Sequence, residues 1–352
     1  MISFSISQLA SSRLPIQGCA LNAIFNSIAI VLPVVLMLVI GRLFARAKGF
    51  HVELSRGIGS LVFWVCLPAL TFREIVRSGA GSIVEGRLCL GLLAAIVVCA
   101  VLGYRYARLR GAPENKVGVI AQGSFRSNMM YVGLPVLIYY AQARSSAAGG
   151  DAAVRDRIAQ LTAVSAAVSI PVLNIATILA FEFCRRNRPG HVFSPLKVAR
   201  DIVFNPLILA VVFAAAITII PGGRTWFDKD GVTGKTLDMV AAAALPLALF
   251  SIGAILDARR AFAGLSETLP VAFIKLLFMP ALGLAIFYAL GLRGAPLAVG
   301  VILLACPDAA GGHAMATEYG GDEELAGELV AITTLLCPLT LVGWLSVLAM
   351  FE

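Results

Sequence analysis

Charge is what this sequence has least of. Asp, Glu, Lys and Arg make up 14% of its 352 residues, against roughly a quarter in an ordinary soluble domain. Histidine occurs three times, and the seven cysteines (Cys19, Cys66, Cys89, Cys99, Cys184, Cys306 and Cys337) are scattered singly. With no CxxC pair, neither a zinc site nor a disulfide framework is coded. HExxH, a GxGD aspartate pair and a Ser/His arrangement are all missing, which argues against an intramembrane enzyme. No low-complexity tract or domain-separating linker interrupts the chain, and residues 1–20 lack the basic start and apolar run of a cleavable signal. No cofactor is expected.

Apolar residues are abundant instead, at 59%, with a mean hydropathy of +0.89. A membrane-spanning helix uses about 20 of them, so the stock suffices for about ten spans. Ten stretches can be drawn at 22–45, 58–77, 87–107, 116–141, 158–183, 197–220, 234–255, 268–291, 295–319 and 324–350. The net charge of +8 lies in single cations and short clusters between these stretches. They read as topology signals rather than a nucleic-acid surface. Segments after the odd-numbered spans hold 15 Lys and Arg, against 11 in the opposite set. Arg42, Arg46, Lys48 and Arg56 flank the exit of the first span, so both termini are expected outside the cytoplasm of a multi-pass inner-membrane protein.

Prolines recur in step. Pro33, Pro68, Pro135 and Pro171 are followed by Pro206, Pro246, Pro307 and Pro338 at offsets of 173, 178, 172 and 167. Leu67-Pro68-Ala69-Leu70 is echoed by Leu245-Pro246-Leu247-Ala248. With five spans per half, the second copy enters the membrane upside down, the inverted-repeat plan of many secondary transporters. The expected halves are 22–183 and 197–350.

Two spans carry the chemistry. Span four contains Gln122-Gly123-Ser124-Phe125-Arg126-Ser127-Asn128, then Gly133-Leu134-Pro135. A cation at mid-membrane costs roughly 2.5–3.5 kcal/mol on insertion scales. Unwinding near Ser127 would turn free backbone groups toward a cavity, where alone irregular backbone is tolerated at membrane depth. Span nine repeats the theme in Cys306-Pro307-Asp308-Ala309-Ala310-Gly311-Gly312-His313. Asp308 is either a strut paired with Arg126 or Lys275, or part of a site. His313 is either a packing residue or a proton-accessible rim residue.

Phe125-x-x-Asn128-x-x-x-x-Gly133-Leu134-Pro135 resembles the fourth-span signature of the auxin efflux carrier family, which includes plant PIN proteins and bacterial malate and malonate permeases. Leu67-Pro68-Ala69, Asn205-Pro206-Leu207-Ile208, the run from Pro246 to Ala254, Glu318-Tyr319-Gly320 and Thr333-Thr334-Leu335 extend the resemblance over residues 25–350. It implies an all-α integral membrane protein of ten helices in which spans four and nine break and cross. Spans one, two, six and seven would form a scaffold, often dimeric; spans three to five and eight to ten would form a moving transport unit. The family's crossing carries a proline–asparagine pair or a close variant. Here span four offers Ser127-Asn128, without the proline, and span nine offers Pro307-Asp308. Asn128 then corresponds to Asp308 at an offset of 180, in competition with the proline offset of 172. The long loop between the halves of plant PINs is missing.

The expected function is secondary transport of small organic anions, carboxylates such as malate, malonate or auxin-like acids, by elevator-type alternating access. Substrate contacts would come from Asn128, Ser127, Asp308, Pro307, Gly133 and Pro135, with Asp308, His313 and Arg126 as coupling candidates. The alternative is a sodium-coupled carrier of the bile-acid type, with oxygens drawn from Ser124, Ser127, Asn128, Asp308 and Glu318. A homodimer through the scaffold, the lipid bilayer and a small organic acid are the expected partners; nucleic acid is not.

Overall fold

A computed structural model describes residues 17–46, 52–78, 86–147, 149–185, 196, 200, 203–204, 206–228, 230–256, 264–309 and 311–351. All regular structure among them is helical. Helix α1 (Gln17–Ala45) is followed by α2 (Val52–Leu61), which runs through a π-helical turn (Val62–Cys66) into α3 (Leu67–Ser78). Then come α4 (Gly86–Leu109), α5 (Glu114–Phe125), a π turn (Met129–Gly133) leading into α6 (Leu134–Ala147), α7 (Ala152–Arg185), α8 (Pro206–Ile219) and α9 (Val232–Ile255). The chain ends with α10 (Leu265–Phe273), joined by a π turn (Ile274–Phe278) to α11 (Met279–Ala289), α12 (Ala295–Ala305), α13 (Gly311–Glu318) and α14 (Glu323–Leu348).

Seven helical segments are long and apolar enough to cross a membrane. Expected spans four and nine are not among them, because each is split in two. At about 1.5 Å per residue, neither half of either span reaches across a hydrocarbon core of about 30 Å. Residues 197–199, 201–202 and 205 of expected span six lie outside the described residues, as do the cation-rich segment 186–195, Lys48, Arg259 and Arg260. Large apolar side chains point outward along the bundle, among them Phe25, Leu36, Trp64, Val101, Phe213 and Phe273, each more than half exposed. A belt of that kind suits lipid rather than water.

Small residues let helices approach closely where lipid tails supply no hydrophobic drive between them. A Cβ on Gly41 of α1 would strike the Phe250 carbonyl of α9, and one on Gly253 of α9 would strike the Leu38 carbonyl of α1. These two helices share the most extensive contact in the bundle, followed by α4 on α5 and α3 on α8. Helix α9 also packs on α2 and α3, α11 on α12, and α4 on α11.

Helix ends tie together in two groups. At one, Lys116 Nζ bonds Glu267 at 2.7 and 3.0 Å, and the Asp322 N–H donates to Asn115 O at 2.9 Å. At the other, Arg77 grips both carboxyl oxygens of Asp238 at 2.7 and 2.9 Å, and the Ser27 and Ser346 hydroxyls meet at 3.3 Å. The same pentapeptide, Leu-Arg-Gly-Ala-Pro, occupies 109–113 before α5 and 292–296 at the start of α12. Gly111 and Gly294 both take positive φ there, 64° and 59°. This exact repeat is a sequence signal that the proline series overlooks. Helices α5 and α12 end at Phe125 and Ala305, 180 residues apart, the offset that pairs Asn128 with Asp308.

Candidate functional site

The two breaks meet. Helix α5 stops at Phe125, where Arg126 turns extended (φ −70°, ψ 116°) and its N–H closes the last turn on Gln122 O at 2.8 Å. Two residues on, the Asn128 N–H donates to Pro307 O at 2.8 Å. Asn128 then caps the π turn with two acceptors. Its carbonyl receives the Val132 and Gly133 N–H groups, both at 3.2 Å, and its side-chain oxygen receives the Tyr131 N–H at 3.3 Å. Pro135, which has no N–H to return to the carbonyl four residues back, lies buried just after that turn.

The second break opens at Cys306, which is extended (φ −63°, ψ 152°) beside Pro307. The Asp308 N–H leaves the helix path and donates to Thr333 Oγ1 of α14 at 3.0 Å. The Thr333 hydroxyl donates in turn to Leu329 O at 2.7 Å. Across the junction, Gln122 Nε2 donates to Gly312 O at 2.9 Å. Gly133 is packed tightly against the second break: a Cβ there would lie 2.9 Å from Cys306 Sγ and 3.1 Å from a Leu303 methyl. Its place in the motif is thus explained by packing. Gly133→Leu is expected to wedge the breaks apart at a cost of about 1–3 kcal/mol, read as a lower melting temperature; an unchanged melting curve would contradict the docked geometry.

Three charged groups are buried near this junction. Asp308 and Lys275 are fully buried and Arg126 is 9% exposed. The strut anticipated as one alternative does not form: no Arg126 or Lys275 nitrogen comes within ion-pair reach (4.0 Å) of the Asp308 carboxyl. Arg126 is held by neutral groups, Thr177 Oγ1 at 2.9 Å, Asn174 Oδ1 at 3.0 Å and Met315 Sδ at 3.2 Å. Lys275 Nζ donates to Leu304 O at 2.7 Å. Neither Asp308 oxygen completes a hydrogen bond, although the Ala309 amide lies nearby. Ser127 Oγ, Arg126 Nε and Gln122 Oε1 are also buried without a partner. Such groups cost free energy unless something meets them.

Asn128, Ser127, Pro307, Asp308, Gly133 and Arg126 therefore lie on two segments that dock on each other. His313 is half-buried on α13, its ring 3.4 Å from where a Gly327 Cβ would stand. The Glu318 side chain lies outside the described residues. Ser124, a candidate sodium ligand, donates to Ile120 O at 2.8 Å within its own helix. Asn174 and Thr177 escaped the sequence reading. Their signal is two polar residues three apart on one face of the apolar α7.

A cavity of about 680 Å³ lies away from the junction, between α3, α6, α7 and the 3₁₀ turn Gly223–Phe227. It begins at Leu134, next to the π turn Met129–Gly133, and is lined by Arg73, Arg77, Arg155 and Arg224 against Asp156 and Asp228.

A family model described as membrane transport protein matches residues 27–345. The chain belongs to that family, the auxin efflux carriers. An uncharacterized transporter of Methanothermobacter thermautotrophicus is 23% identical over 325 residues, covering 90% of this chain and 97% of the relative. A protein of Rhizobium meliloti with the provisional name malonate transporter is 26% identical over 323 residues, 90% of this chain and 94% of the relative. This auxin efflux carrier homologue is a multi-pass membrane transporter and not an enzyme. The motif built on Asn128, Gly133 and Pro135 falls inside the matched region.

Proposed function

We propose that this chain is a secondary active transporter of small organic anions, carboxylates of the malate, malonate or auxin-like kind, working by elevator-type alternating access. The observation that carries the reading is the Asn128 N–H···O Pro307 contact between two broken helices, beside buried polar groups without partners. The N-terminal ends of the π turn before α6 and of α13 both open at this junction. Half-helix N-termini favour an anion, and Arg126, bonded only to neutral side chains among the described residues, adds a donor for a carboxylate. Asp308 would carry the coupling proton and, protonated, donate to the substrate.

The halves are 22–183 and 197–350. In an inverted repeat, the pairing of α1 with α9 maps onto that of α3 with α8, and both pairings are present in the packing. The repeated Leu-Arg-Gly-Ala-Pro turns support the same relation. Expected spans one, two, six and seven act as scaffold and dimer contact; spans three to five and eight to ten move. The arginine-lined cavity between α3 and α6–α7 serves as an anion-attracting vestibule between the two units. The membrane is the inner one, with both termini outside.

The name of the Rhizobium meliloti relative makes malonate the first ligand to try. Purified protein is expected to melt at higher temperature as malonate, malate or an indole acid is added, since a ligand that binds the folded state stabilises it by mass action. The absence of any concentration-dependent shift across this set would refute the substrate class. For topology, single cysteines at Arg110 and Arg293, equivalent positions of the repeated turn, are expected to label from opposite membrane faces. Labelling from one face would remove the inverted repeat.

A further inference from the structure

Lys275 lies in the π turn between α10 and α11, fully buried. A lysine side chain in a span usually snorkels toward water. This one runs inward: its Nζ donates to Leu304 O at 2.7 Å and lies 3.6 Å from Met279 Sδ. Leu304 is the next-to-last residue of α12. In a continuous helix its carbonyl would receive the N–H of residue 308. That N–H goes to Thr333 Oγ1 instead, and Pro307 has none to offer. The break therefore leaves an orphan acceptor at the negative end of a half-helix, and Lys275 fills it.

In carriers built on broken helices, half-helix C-terminal ends and unwound carbonyls are where a coupling sodium ion is held. Here a resident amino group has that seat. Two of the oxygens that a sodium site would draw on are already engaged locally: the Ser124 hydroxyl donates to Ile120 O at 2.8 Å, and the Asn128 side-chain oxygen receives the Tyr131 N–H at 3.3 Å. Beside the junction two buried cations, Arg126 and Lys275, stand against the carboxyl of Asp308; the other buried carboxyl, Glu328, sits against Gly264 at the start of α10. With Asp308 protonated beside the substrate, the two cations can be neutralised by a dicarboxylate alone.

We propose that the Lys275 ammonium is a built-in counter-cation occupying the cation seat at the C-terminal end of α12, so that a carboxylate is carried without a sodium ion. This rests on the transporter reading above and deepens it. The parent protein, free of ligand, is melted in sodium chloride and in choline chloride at matched concentration. Equal melting temperatures are expected, and a sodium-specific rise overturns the proposal. Lys275→Ala empties the seat but leaves the Leu304 carbonyl and the Asp308 carboxyl behind. Its melting temperature is expected to fall and to recover by roughly 2–4 °C in sodium over choline. A folded Lys275→Ala protein that melts alike in both salts overturns the proposal as well. Should that variant not fold, the parent comparison decides alone. Both readouts use ligand-free protein, so a failure here is separable from a failure to bind malonate.

Discussion

Asp308→Asn is expected to fold and melt close to the parent while losing the pH dependence of uptake. The stability half follows from geometry. Removing one partner of a buried ion pair costs roughly 3–5 kcal/mol because it strands the other charge. Asp308 is in no such pair: Arg126 leans on Asn174 and Thr177, and Lys275 on Leu304 O. Neutralising the carboxyl leaves those bonds intact. The functional half follows from the same isolation. A fully buried carboxyl with neither oxygen bonded has nothing in the fold to serve, and as a proton carrier it would serve the substrate. If the protonated form is the competent one, parent uptake weakens as pH rises, whereas the asparagine variant, which resembles the protonated form, transports at a level independent of pH. A folded variant that keeps the parent's profile would end the coupling role, and an early-melting one would restore the strut.

Asn128→Ala should leave the architecture standing and cost substrate affinity about tenfold to a hundredfold. The contacts that dock the breaks are main-chain ones: the Asn128 N–H to Pro307 O, and the Asn128 carbonyl to the N–H groups of Val132 and Gly133. Alanine keeps all of these. What it loses is the amide, whose oxygen makes only a long 3.3 Å bond to the Tyr131 N–H. A polar ligand group left unpaired costs roughly 1–3 kcal/mol, which sets the size of the affinity loss. Titrating malonate by thermal shift against parent and variant reads it directly; equal affinities would show that the amide does not touch the substrate.

The spacing of apolar runs was enough to expect helices throughout, and the polar stretches 122–128 and 306–313 located both breaks. Hydrophobic length and the cost of burying polar groups in lipid are local properties of the chain. The proline series was less reliable as a register. Pro135 falls after its break and Pro307 inside the other, so their offset of 172 relates positions that do different things.

Sequence by itself determined the membrane class, the helical make-up, the positions of the breaks and the family motif, because each depends on residues near one another in the chain. Only the tertiary structure decided what the buried charges do. Whether Arg126 meets Asp308 or Thr177, and whether Lys275 is a strut or the cap on Leu304, depends on side chains brought together from helices far apart in sequence: Arg126 and Thr177 are 51 residues apart, Lys275 and Leu304 are 29. Hydrogen bonds are short-ranged and directional, so a shift of one helical turn, about 5.4 Å, would break these pairs without altering a single residue.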